Sequence, residues 1–183
     1  MASISFPPPD KLGGQPLMRA LALRRTTRVF ANRELGDQLT GDLFWAAWGI
    51  NRPDGRRTAP SALNSQDITL YAIRADGVWR YDASGHALIL VAQKDLRTAL
   101  GQSQFVATAP LTVVCVAAPE KSRAERYAYV HAGSIIQNIG LFCASAGLNN
   151  VVRASFNADT LAAGMGLPPR HIPLLTQSVG WQA

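Results

Sequence analysis

RAERYAYVHAGSIIQNIGLFCASAG, residues 123–147, contains no proline and carries Val130, Ile136, Ile139, Cys143 and Ala146 near helical spacing. The stretch predicts one long helix closed by Gly147, a residue suited to the left-handed conformation that ends helices. Within it Gly133 and Gly140 lie seven apart on one face. Glycine inside a helix costs about 1 kcal/mol against alanine, so close approach of another helix, a ligand or a second copy of the chain is expected there. Gln137 and Asn138 sit mid-helix as amides that need partners if buried.

The segments on either side supply a sheet. Upstream, APLTVVCVAA (residues 109–118) is a continuous apolar run of strand length, which predicts a central strand covered on both faces. Ile68 to Ala75 is β-branched and aromatic, and Asp76-Gly77 before VWRYD is a two-residue hairpin signal. His86 to Ala92 adds a short strand, and KDLRTALG a helix closing at Gly101. Downstream, Leu148 to Arg153 reads as a strand, Asp159 to Met165 as a helix and Leu174 to Gly180 as a last strand. Towards the N-terminus, Leu17, Ala20, Leu21 and Arg24 are at helical spacing behind Pro16. Asp42 to Trp48 predicts a second helix, capped by Thr40 and ended by Gly49. Residues 1–15, rich in proline and glycine, read as an extended arm able to reach a partner subunit, and residues 16–183 as a single domain.

Composition narrows the function. A chain of 183 residues with 48% hydrophobic and 16% charged residues is an ordinary globular protein. At this size folding buries roughly 70% of the exposed surface, so no staples are needed. The two cysteines, Cys115 and Cys143, lie in apolar runs and read as small hydrophobes. No apolar stretch approaches the roughly 18 residues of a membrane span. The N-terminus has no charged region followed by an apolar one, which reads as a cytoplasmic chain, although a chain trimmed of an export signal would read the same. Net charge is +6, from 15 Arg and 3 Lys against 12 acidic residues, a balance suited to planar or phosphate-bearing anions. Nucleic acid is disfavoured: aromatic residues are not interleaved with the arginines, and no helix-turn-helix, zinc or RNA-binding signature occurs. His86, His131 and His171 are scattered, with no metal-ligand spacing and no Gly-x-Ser-x-Gly elbow. Neither Gly-x-Gly-x-x-Gly nor a P-loop is present, which disfavours a Rossmann enzyme or an NTPase.

Four segments are candidates for chemistry. Arg24-Arg25-Thr26-Thr27-Arg28 crowds three guanidinium groups and two hydroxyls into one turn of chain, a composition that matches phosphate oxygens. A solvated basic face is its bland alternative. Pro60-Ser61-Ala62-Leu63-Asn64-Ser65-Gln66 offers small and polar groups to a flat ring, or else forms a single capped helical turn. Gln137-Asn138 is the third, and the turn at Asn149-Asn150, whose strand ends at the amides of Ala154 and Ser155, is the fourth.

Taken in order, LRRTTRVF, PSALNSQ, HAGSIIQNIGLFCASAGL and NNVVRASFN resemble the FMN-dependent nitroreductase family, and more closely its SagB/ThcOx-type dehydrogenase-like branch. LFWAAWGINRPDGRRTAPSALNSQ, the GVWRYD hairpin, FVATAPLTVV and QSVGWQ look like that branch too. The resemblance implies an α+β three-layer sandwich: a central mixed, mainly antiparallel sheet flanked by helices, one of them long and central. It implies a homodimer with two FMN sites at the interface. On that pattern Arg24, Arg25 and Thr26 hold the phosphate and ribityl end, and Arg28 approaches the N1/O2 edge. There a positive charge stabilises the anionic reduced flavin. Pro60, Ser61, Ala62 and Asn64 come from the other subunit and pack on the ring. The backbone of Ala154 and Ser155 faces N5, and Gln137 lies on a helix that approaches the site. The implied activity is reduction of bound FMN by NADH or NADPH, followed by reduction of a nitroaromatic, quinone or similar acceptor. The alternatives are a flavin-dependent dehydrogenase of a peptide or small metabolite and a non-catalytic flavin-binding protein.

The chain departs from the family pattern in places. Asp67 follows Gln66 where an aromatic residue or proline is common, and His131 stands near the head of the long helix where an acidic residue is common. The chain closes on Gly180-Trp181-Gln182-Ala183 without the basic phosphate ligand often found there, which makes Arg153 its candidate replacement. No adjacent Lys-Tyr pair, the mark of azoline oxidases in the branch, occurs. Gln102 and Gln104 are both candidates for an amide contact to the flavin pyrimidine.

Overall fold

The computed structural model describes residues 2–101, 103–121 and 124–183. Seven strands form one sheet: β1 Ser3–Ser5, β2 Ile68–Arg74, β3 Gly77–Asp82, β4 Ala87–Ala92, β5 Leu111–Ala117, β6 Leu148–Arg153 and β7 Ile172–Trp181. Their order across the sheet is β1-β4-β3-β2-β5-β7-β6. The helices are α1 Leu17–Leu23, α2 Asp37–Trp48, α3 Gln104–Thr108, α4 Glu125–Ala146 and α5 Ala158–Met165. Among the described residues every strand pair is antiparallel, so the expected mixture contains no parallel pair. The reason lies in β7, which inserts between β5 and β6 and runs against both. β5 and β6 therefore point the same way without touching, and α4 is the crossover that same-direction strands require.

β5 is buried at every residue, as its unbroken apolar run predicts. Leu111, Val113 and Cys115 join the core beneath α2 and α4, with Phe44, Trp48, Ile135 and Ile139. Val114 and Val116 face the other way, onto Leu100, Val106, Leu161 and Met165. Two cores on opposite faces of one sheet make the three-layer α+β sandwich. The buried stripe of α4 runs through Ala128, Ala132, Ile135, Ile139 and Cys143. Gly147 ends the helix at φ 71°, and its N–H donates to the Cys143 carbonyl. Val130, expected on the buried side, is 63% exposed.

Other elements differ in extent. α2 begins five residues earlier than expected, after Gly36, and Thr40 is inside it with Oγ1 donating to the Leu35 carbonyl at 3.4 Å. The KDLRTALG segment forms only a short 3-10 turn over Arg97–Leu100, ended by Gly101 at φ 132°. The expected arm lies along its own chain. β1 pairs with β4, Phe6 is buried, and the Asp10 and Gln15 amides donate to Asp42 Oδ1 and Ser145 Oγ.

His86 pins the start of this segment. Its carbonyl accepts from the Phe6 amide at 3.0 Å, the Phe6 ring meets the imidazole edge-on at 5.4 Å, and Nδ1 lies 3.1 Å from the Tyr81 hydroxyl. Burial lowers its pKa from 6.5, against the opposing effects of Asp42 and the Pro7 backbone. The unfolded chain then takes up the proton first, so stability is full above about pH 6.5 and falls as pH drops through the window below it. Urea melts at a series of pH values are expected to show that fall, and His86→Gln to flatten it.

Candidate active site

The arginine segment leaves α1 at Arg24 and runs between α4 and the edge strand β6. The Thr27 amide donates to the Asn150 carbonyl at 2.9 Å, and Asn149 Nδ2 donates to the Val29 carbonyl at 2.7 Å. The aliphatic stem of Arg24 lies over Gly140, where a Cβ would meet Arg24 Cγ and Cδ at 3.8 Å. Gly140 thus answers the expectation of a close approach with a side chain of its own subunit, whereas Gly133 is exposed and open. Arg24, Arg25, Thr26 and Arg28 are all exposed. Among the described residues the guanidinium groups of Arg24, Arg25 and Arg28 enter no ion pair.

Arg28 opens on a cleft of about 690 Å³ lined also by Phe30, Asn32, Arg97, Gln104 and Phe105. Gln104 is therefore on the same cleft as Arg28, while Gln102 lies outside the described residues. Arg97 is tied to Asp95 at 2.8 Å, an ion pair that holds the Asp95 carboxyl below and the arginine above their ordinary pKa ranges. Arg153 stacks over Phe105 at 5.6 Å and donates from Nη2 to the Ser155 carbonyl at 2.8 Å. Burial lowers its pKa, and Nη1 is buried without a hydrogen-bond partner among the described residues, as is Thr27 Oγ1. Ala154 and Ser155 are exposed at the end of β6. The Arg28 cleft thus gathers an unpaired cation, an amide and an aromatic wall beside the unsatisfied Arg153 Nη1, whereas Arg25 lines a separate cavity of about 140 Å³ with Cys143, Gly147 and Asn149. Such a cleft can take an anionic, planar ligand.

The second segment is apart from this cleft. Residues Pro60 to Ser65 line two other cavities, of about 460 and 720 Å³, neither sharing a wall residue with the Arg28 cleft. Ala62–Asn64 form a single turn, the bland alternative for this segment, in a distorted form. Leu63, Asn64 and Gln66 have φ of 54°, 55° and 46°. Left-handed backbone costs a non-glycine residue about 1–2 kcal/mol, so the surroundings must hold it. Gln66 is one holder: it accepts from Arg57 Nε at 2.8 Å and donates to the Gly55 carbonyl and Asn64 Oδ1, both at 3.1 Å. Its own amide donates to Ser61 Oγ at 3.2 Å. His131 is the other: Nε2 accepts from the Ala62 amide at 2.7 Å, and Nδ1 lies 2.6 Å from Asp67 Oδ1. That pair joins residues far apart in sequence, and no spacing signal could have found it. Phe105 and Arg97 were likewise without a sequence signal.

Gln137 is exposed, which corrects the reading of it as an amide needing an internal partner. Asn138 does find one, donating to the Ala46 carbonyl at 3.0 Å and tying α4 to α2. The thiols are inert: both are fully buried, which pushes Cys115 up to about 12 and raises Cys143 as well. Among the described residues no cluster of metal-ligating side chains occurs, and no helix is long and apolar enough to cross a membrane.

Comparison with known proteins places this architecture. The nitroreductase family model matches residues 21–181. A curated relative from Methanocaldococcus jannaschii carrying the nitroreductase name is 25% identical over 176 residues, 87% of this chain and 88% of its own. A solved structure of that name from Ralstonia eutropha JMP134 is 39% identical, with a TM-score of 0.94, and the match covers 99% of this chain and 90% of that one. A Desulfovibrio desulfuricans structure in complex with FMN has the same fold, with a TM-score of 0.71 at 21% identity over 92% of this chain and 87% of that one. The protein class is an FMN-dependent oxidoreductase. The chain belongs to the nitroreductase family.

The Gln66 clamp has a measurable weight. Gln66→Ala frees the Arg57 guanidinium and the Gly55 carbonyl, and denaturant unfolding should show a loss of about 1–3 kcal/mol, the cost of leaving partly buried polar groups unpaired.

Proposed function

We propose that the protein is a homodimeric nitroreductase that takes electrons from NADH or NADPH and delivers them to a small oxidised acceptor such as a nitroaromatic or quinone. The observation that carries the reading is the exposed Arg24–Arg28 segment, whose three guanidinium groups enter no ion pair among the described residues and whose Arg28 opens on a cleft that also presents Gln104. These residues fit FMN: Arg24, Arg25 and Thr26 hold its phosphate and ribityl end, and Arg28 the electron-rich edge of its ring. Arg153, Ala154 and Ser155 border the same end of the sheet, and Gln137 is presented on the outer side of α4. When bound, FMN supplies two-electron redox chemistry that none of these side chains offers. The protein binds, orients and sets charge, and Arg28 favours the more anionic state of whatever lies against it.

Two features support a dimer. Leu17, Met18 and Leu21 on α1 and Val130 on α4 are exposed apolar side chains, and α1 packs on α4. Pro60, Ser61, Ala62 and Asn64 share no cavity with Arg28, so a second copy is the source from which they can reach the ring. The dehydrogenase of the SagB-like branch is the second outcome of the same test.

Purified protein should retain or take up flavin and show its visible absorbance. Anaerobic NADH or NADPH should bleach that absorbance. Flavin that stays oxidised would move the assignment to the substrate dehydrogenase. Arg28→Ala should weaken FMN binding about ten- to hundredfold, the equivalent of one charge-assisted hydrogen bond, or lower the flavin potential. Unchanged affinity and potential would remove Arg28 from the site.

A further inference from the structure

Asp67 and His131 stand at two of the positions where the chain leaves the family pattern, and the fold joins them. Both are buried, at 0% and 3% exposure. A backbone N–H only donates, so the contact from Ala62 requires a lone pair on Nε2. The proton of the neutral ring is then on Nδ1, donated to Asp67 Oδ1. A proton on Nε2 would face the Ala62 N–H donor to donor. Asp67 Oδ2 has no hydrogen-bond partner among the described residues, so Oδ1 and the imidazole hold this carboxylate alone. The protonation of His131 and the position of Ala62 are therefore linked. Ala62 opens the turn whose next residues, Leu63 and Asn64, are left-handed. The Gln66 clamp holds the far end of that turn, and His131 holds the near end.

We propose that His131 is a positioning residue: with its tautomer set by Asp67, it holds the Ala62 amide and so presets residues 60–64 for the flavin ring, and its protonation releases them. This rests on the reading that residues 60–64 pack on FMN. The groups facing the imidazole are Asp67, just before β2, and Tyr127 one turn back in α4, stacked at 6.4 Å and 11°. Arg126 lies 5.1 Å from the Tyr127 ring, and with Lys121 it lines the cavity outside Ala62.

The test measures FMN affinity by flavin fluorescence between about pH 8 and about pH 5 for wild type, His131→Gln and His131→Phe. Hydrogen exchange at the Ala62 amide is followed in the same proteins without flavin. The phosphate of FMN also titrates in this span, so the difference between wild type and His131→Gln is the readout. Glutamine keeps an acceptor for Ala62 and a donor for Asp67 but does not titrate. Wild type should lose about tenfold more affinity on acidification than His131→Gln, one hydrogen bond's worth. His131→Phe should bind weakly at both extremes, with Ala62 protection lost. Parallel pH profiles for wild type and His131→Gln, or full Ala62 protection in His131→Phe, would overturn the proposal. Should wild type bind no FMN at any pH, the flavin reading fails. The Ala62 exchange then decides the positioning role alone: loss of protection in acid and in His131→Phe supports it, and its persistence refutes it.

Discussion

β5 admits no solvent on either face, and the rest of the molecule answers that constraint. Seven consecutive residues from Leu111 to Ala117 are buried, alternate side chains pointing into different cores. A strand so placed needs a neighbour on each edge and a helical layer above and below. β2 and β7 occupy the edges, α2 and α4 cover one face, and α3, α5 and the Arg97–Leu100 turn cover the other. The loss of any layer would expose a ladder of valines, which makes the arrangement cooperative.

The candidate site is a by-product of that packing. α4 crosses from β5 to β6 and leaves a seam along its C-terminal half and the β6 edge, into which the Arg24–Arg28 segment settles through the Thr27 to Asn150 hydrogen bond. Gly140 lets the Arg24 stem lie close to the helix, so that one guanidinium is carried outward with its stem supported. The other end of α4 does a different task. His131, in the second turn of that helix, reaches across to the loop that precedes β2 and holds it in a backbone conformation its residues would not adopt alone. One helix thus organises both segments from opposite ends.

Much of this was legible in the chain. The apolar run of β5, the hairpin at Asp76-Gly77 and the long helix closing at Gly147 are local signals with local causes, and each appears within a residue or two of its expected bounds. The arginine cluster was legible as well, because charge density in one turn of chain needs no partner to be recognised. What failed locally failed for tertiary reasons. Residues 1–15 carry the composition of an extended arm, but that Ser3–Ser5 pair along β4 and Phe6 is buried rests on contacts that no property of those residues announces. Val130 has the spacing of a core residue, but the buried stripe of α4 is set by what lies beneath it, and Val130 falls outside.

By itself, then, the sequence determined the elements, the two-sided burial of the central strand and the crowding of three arginines into one turn of chain. These follow from periodicity, glycine conformation and charge, which act over a few residues. Only the tertiary structure decided that β7 inserts between β5 and β6, that Arg28 shares its cleft with Gln104 and Phe105, and that Asp67 and His131 meet at 2.6 Å. Those outcomes depend on pairs distant along the chain, whose meeting is dictated by how the layers pack and not by any residue's own preference.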